Sequence, residues 1–175
     1  MTMFEIRADF PILQRQDQGK PLVYLDSAAT TQKPDAVINA VSDYYRHSNA
    51  NVHRAAHKLA EEATTLLEDA RTLVQRYIGA SDRRQVIFTR GTTESINLVA
   101  QGLQAHLKAE DEILITALEH HSNIVPWQML AQRTGAQLKV VSVDANGDLD
   151  LPDFYQKLSS RTKVFTCNHI SNALG

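Results

Sequence analysis

Phe88-Thr89-Arg90-Gly91-Thr92-Thr93-Glu94 is the stretch on which the fold turns, because an apolar run passes through one glycine into two hydroxyl residues that open a helical pattern. Val86, Ile87 and Phe88 predict a buried strand, and Ile96, Val99, Leu103 and Leu107 recur at helical spacing just beyond. Thr92 or Thr93 then stands at a helix N-terminus, where unbonded N–H groups and the positive end of the helix dipole attract an anion. Gly91 lets the backbone come close to such a group. Taken alone, the heptapeptide favours a simpler role, in which Thr92 only caps the helix at about 1 kcal/mol.

Downstream, the pattern alternates. A strand over Val86–Thr89 precedes a helix over Thr92–Leu107, a strand over Ile113–Thr116 and a helix over Ile124–Arg133 interrupted at Pro126-Trp127. A strand over Leu138–Val143, a polar turn at Asp144-Ala145-Asn146-Gly147, a helix over Leu151–Leu158 and a strand over Val164–Cys167 follow. Such alternation predicts an α/β fold with a mostly parallel sheet flanked by helices. Ligands in these sheets bind beyond the carboxyl ends of the strands, which points to the loops after Thr89, Thr116 and Cys167.

Upstream, Leu22–Leu25 predicts a strand leading into the small-residue loop Asp26-Ser27-Ala28-Ala29-Thr30-Thr31, and Pro34 opens a helix carrying Val37, Ile38, Val41 and Tyr45. Leu59, Ala63, Leu66, Ala70, Leu73 and Tyr77 alternate steps of four and three, predicting a helix with one buried stripe that Gly79 ends. The last strand is followed by no closing helix, so the fold is expected to be incomplete at its C-terminus.

At 175 residues and 43% hydrophobic content, the chain can bury a core. Its 18 basic and 20 acidic residues give a net charge of -2, which offers no electrostatic support for nucleic acid or an anionic membrane. No apolar run is long enough to span a bilayer, and Glu5 and Asp9 stand where a secretory signal would be basic, so a cytoplasmic protein is expected. Cys167 is the only cysteine, excluding an internal disulfide or a cysteine-rich metal site; within its alternating strand it is expected to be an inert core thiol.

The glycines form neither a dinucleotide fingerprint nor a P-loop. His53 and His57 are four apart, but Arg54 replaces the glutamate of a metalloprotease helix, so both are expected to be polar helix-start residues and no metal is assigned. In Glu119-His120-His121-Ser122-Asn123 the adjacent histidines point in different directions; one can line a site while the other serves structure. By itself Asn172 is a turn residue.

Taken together, five motifs resemble the cysteine desulfurases of the class V aminotransferase group, closest to the SUF-type branch that includes selenocysteine lyases. They are Tyr24–Ala29, Asn51–Arg54, Arg90–Glu94, Glu119–Trp127 and His169–Gly175, in the family's order and covering nearly all of this chain. The resemblance implies a pyridoxal-phosphate aminotransferase-type (fold type I) large domain. Residues 1–30 would form an N-terminal arm with its leading strand, and residues 31–175 the first, truncated part of the cofactor-binding domain.

By the same resemblance Thr92 and Thr93 would hold the phosphate of pyridoxal 5'-phosphate. His120 would stack on its ring as the catalytic imidazole, and Asn172 would donate to its phenolate oxygen. Ala28, Ala29 and, more remotely, His53 would line the substrate pocket. The family's enzymes convert L-cysteine to L-alanine and pass the sulfur, as an enzyme persulfide, to an acceptor protein for iron-sulfur cluster assembly. They do so as homodimers. Their cofactor-anchoring lysine lies in a serine-x-histidine-lysine motif that surrounds none of Lys20, Lys33, Lys58, Lys108, Lys139, Lys157 or Lys163, and Cys167 does not replace the persulfide cysteine. This chain alone is therefore expected to be inactive. Alternatives are a selenocysteine lyase acting on L-selenocysteine, another class V enzyme, or a non-catalytic truncated partner protein.

Overall fold

The structure, a computed structural model, describes residues 3–54 and 56–174 and divides into two compact units, residues 1–87 and residues 88–175. Gly175, which closes the last of the five motifs, lies outside the described residues.

In the second unit, three parallel strands pair in the order β4-β3-β5: β3 (Glu112–Thr116) is central, with β4 (Gln137–Val141) and β5 (Thr162–Thr166) on either side. All five residues of β3 are buried, as expected for a central strand covered on both faces. Side chains alternate across a sheet. Ile113 and Ile115 accordingly join Ala100 of α4 (Thr92–Leu103) and Trp127, Leu130 and Ala131 of α5 (Val125–Thr134) in one apolar cluster. Leu114 faces the other way, paired in register with Phe165, whose ring lies 5.0 Å from that of Phe154 in α6 (Leu151–Lys157). Each fully buried Leu or Ile here contributes about 1.5–3 kcal/mol.

Helix α5 runs without a break. Pro126 falls in its first turn, where the missing N–H is one that no residue would accept, so the expected interruption is absent. Gly135 ends it in the left-handed conformation (φ 77°), and a Cβ there would come within 3.1 Å of the Ala109 Cβ.

At the amino ends of the strands, Glu112 is fully buried yet met by two cations and a hydroxyl: Arg161 Nη2 lies 2.7 Å and Lys139 Nζ 2.9 Å from its Oε1, while Ser159 Oγ donates to Oε2 at 2.7 Å. Lys139, then the Ser159 hydroxyl and the Arg161 charge, outweigh desolvation and hold its carboxyl down at about 2. This clamp ties β3 to β4 and to the start of β5.

In the first unit, α1 (Met3–Ala8) is followed by a minimal antiparallel pair, β1 (Gln16–Asp17) and β2 (Lys20–Pro21). Next come α2 (Asp35–Asp43), a π turn at Tyr44–Ser48 and the long α3 (Lys58–Tyr77). Arg7 gathers the amino-terminal segment by donating to the carbonyls of Leu13 and Leu22 at 2.6 and 2.7 Å.

Three expectations are corrected. Leu22–Leu25 and Val86–Thr89 are not strands of the described sheets; Leu25 is 91% and Ile87 66% exposed. The stripe of α3 exists but is not buried: Ala63 is covered, whereas Leu66, Leu73 and Tyr77 are 51%, 70% and 91% exposed. Cys167 stands just past the edge strand β5 as an exposed thiol, not a core one, since no further described strand covers that side.

Candidate functional site

The expected helix N-terminus is present. Gly91, at φ 158° and ψ 173°, is the cap of α4 in a region that glycine alone adopts easily, and it supplies no capping side chain. Thr92 and Thr93 are therefore the first two helical residues. Their N–H groups and hydroxyls donate to no described residue; the first bond back into the turn is Ser95 N–H to Gly91 O at 3.1 Å. Thr92 is thus not the cap, and the donors of both threonines have no partner among the described residues. Nothing lies within 4 Å of where a Gly91 Cβ would stand, so the space beside the turn is open. Glu94 curls back onto Arg90, its carboxylate 3.1 Å from the guanidinium, and the Arg90 side-chain and backbone bonds hold that carboxyl below its ordinary range.

Thr93 and His120 line one open pocket of about 310 Å³, together with Asn97, His121, Ser122 and Val125. His120 caps the short turn His121–Asn123 that follows β3. Its Nδ1 accepts the Ser122 N–H at 3.1 Å and meets Ser122 Oγ at 2.8 Å, which leaves Nε2 as the ring nitrogen available to a ligand. The His121 ring stands edge-on to that of His120 at 6.0 Å.

Below His120 lies a buried polar network absent from the sequence-based assignment. Glu119, 8% exposed, accepts the Thr116 hydroxyl at 2.5 Å and the Asn168 N–H at 3.0 Å on Oε1, and Asn123 Nδ2 at 2.6 Å on Oε2. Asn123 Oδ1 in turn accepts Trp127 Nε1 at 2.8 Å and Thr166 Oγ1 at 3.0 Å. Asn168 Nδ2 also donates to Leu118 O at 3.1 Å. The loops after β3 and β5 are thereby tied together at the carboxyl end of the sheet. One local signal was present in the sequence: an amide four residues before the sole tryptophan, on the same helical side.

Asn172 occupies an exposed turn beyond β5, at the same end of the sheet but not in the lining of the pocket. Ser171 builds that turn by accepting the N–H groups of Ala173 and Leu174 at 3.1 and 3.2 Å.

Ala28, Ala29 and His53 belong to the first unit. The two alanines sit in an exposed turn closed by Ala29 N–H to Asp26 O at 3.2 Å and braced by the Tyr24 hydroxyl on Thr30 O at 2.5 Å. His53 has a left-handed backbone (φ 64°), uncommon outside glycine but tolerated by histidine better than by most residues. It is held on α3 by its N–H to Thr64 Oγ1 at 3.0 Å and by Nε2 at 3.3 Å from the Glu68 carboxylate. His57 is the cap of α3, as expected of a helix-start residue, accepting Ala60 N–H on Nδ1 at 3.3 Å.

Known proteins resemble this chain throughout. The family described as Aminotransferase class-V matches residues 23–175. A probable cysteine desulfurase of Mycolicibacterium paratuberculosis is 54% identical over 97% of this chain and 25% of its own length. Another, of Vibrio cholerae, is 51% identical over 100% of this chain and 44% of its own. Among solved structures, an apo cysteine desulfurase from Thermococcus onnurineus NA1 superposes with a TM-score of 0.90 at 38% identity, covering 100% of this chain and 42% of that one. A cysteine desulfurase from Escherichia coli gives 0.81 at 40% identity over 98% and 42%. The chain spans less than half the length of these relatives.

Proposed function

The chain belongs to the class-V aminotransferase family, and on that footing we propose that it forms the amino-terminal, cofactor-facing part of a pyridoxal-phosphate-dependent cysteine desulfurase. The whole enzyme would take L-cysteine to L-alanine and hand the sulfur to an acceptor protein, working as a homodimer. The fold itself is the one these desulfurases share.

The observation that carries the reading is the meeting of Thr93 and His120 in one pocket. Pyridoxal phosphate fits the donor set present: a dianionic phosphate suits the unbonded amides and hydroxyls of Thr92 and Thr93, and a flat heteroaromatic ring suits the exposed imidazole of His120, which shares a pocket with Thr93. When bound, the group supplies an electron sink for charge developing at the substrate α-carbon. The protein's own part is to grip the phosphate, pack His120 against the ring and hold a proton at its Nε2. Asn172, on the loop after β5, would donate its amide to the ring oxygen, and Ala28, Ala29 and His53 would face the substrate.

The test is the paired substitution Thr92→Ala and Thr93→Ala in the complete polypeptide. Loss of two charge-assisted donors, each worth roughly 1.5–3 kcal/mol, should weaken cofactor retention at least tenfold with the fold intact. Unchanged retention removes the assignment. Residues 1–175 alone are expected to form no alanine from cysteine above free pyridoxal phosphate, because none of their lysines has the anchoring sequence around it.

A further inference from the structure

The desulfurase reading gives Glu119 no task, yet it is a buried carboxylate next in sequence to the proposed ring-stacking histidine. The direction of every bond around it is fixed by chemistry. The Trp127 indole N–H can only donate, so the Asn123 atom 2.8 Å away is its carbonyl oxygen, and the Asn123 amide nitrogen must face Glu119 at 2.6 Å. The Asn168 backbone N–H, on the other carboxylate oxygen at 3.0 Å, can only donate as well. Glu119 therefore stands between donors that cannot reverse, and only a group with acceptors on both sides fits there. The two donors come from different places: Asn123 from the turn capped by His120, Asn168 from the loop leading to Asn172.

We propose that Glu119 is a positioning residue that fixes the His120 turn and the Asn168–Asn172 loop relative to one another, so that ring and phenolate contacts are set before the cofactor arrives. The proposal rests on the desulfurase reading for what is positioned, not for the coupling itself.

The network predicts its own rescue. Glu119→Gln retains an acceptor for Thr116 and Asn168 but turns an NH₂ toward the Asn123 NH₂; rotating the Asn123 amide only moves the clash to Trp127. Adding Asn123→Asp restores a complete set, since the new carboxylate accepts from the glutamine, from Trp127 and from Thr166. The complete polypeptide is examined without cofactor by NMR, following the His120 ring, the Trp127 indole N–H and the Asn172 amide. These signals should shift together in Glu119→Gln and return to wild-type positions in the double variant. Pyridoxal phosphate affinity should fall about tenfold and recover to within about twofold, the scale seen when a partner behind a first-contact ligand is lost.

A His120 ring and Asn172 amide unmoved by Glu119→Gln would overturn the proposal. So would a double variant no closer to wild type than the single, folded or not. If wild type itself does not bind pyridoxal phosphate, the desulfurase reading falls, while the cofactor-free signals still decide the coupling.

Discussion

The place of Thr92 and Thr93 at a helix N-terminus was legible because it is local: a glycine and two hydroxyls opening a helical pattern can be read within one heptapeptide. The role of Glu119 was not, because its meaning depends on Asn168 and, through Asn123, on Thr166, partners more than forty residues away that only the folded sheet brings near. Glu112 is a second buried glutamate whose use the sequence hides, and it yields a prediction at this scale. Its carboxyl is lowered from 4.5 to about 2 in the folded chain by Lys139 above all. A depressed carboxyl adds stability above its unfolded value, and that addition is lost as pH falls from about 4.5 toward 2. Glu112→Gln should lower the melting temperature at neutral pH and flatten the acid limb between those values, measured by circular dichroism. An acid limb as steep as wild type would deny the clamp.

Among the elements, those that bury apolar surface on both faces were read closely from sequence. Strand β3 begins one residue earlier than expected, and α4 ends in a short 3-10 turn before Leu107. Where pairing decides the outcome, pattern alone misled: Leu22–Leu25 and Val86–Thr89 have the composition of strands but are not strands of the described sheets, and sheet pairing is not written in a segment's own residues. Periodicity likewise located α3 and its stripe without revealing that Leu66, Leu73 and Tyr77 lie open. The packed layer of the second unit gives the sharpest elemental prediction. Leu130 and Ile115 are 0% and 2% exposed within one cluster, so truncating either to alanine should cost about 2–5 kcal/mol in denaturant titration. Leu66→Ala on the open stripe, tried in the isolated 175-residue chain, should cost under about 0.5 kcal/mol.

On the scale of the whole molecule, apolar faces of α2 and α3 and, among the described residues, the outer edges of β4 and β5 lie uncovered. The isolated 175-residue chain should therefore elute larger than a monomer in size-exclusion chromatography with light scattering. A monodisperse monomer would show that these surfaces are tolerated in water. The cofactor contacts proposed within the second unit lie at the carboxyl end of the parallel sheet, where the turn after β3 and the loop after β5 are joined through Glu119 and Thr93 shares a pocket with His120. The most direct test is to titrate the complete polypeptide with pyridoxal phosphate while following the backbone amides of Thr92 and Thr93 and the ring of His120. All three should shift along one saturation curve. Saturable binding that leaves the threonine amides and the imidazole where they were would contradict the phosphate grip and, with it, the assignment of this site.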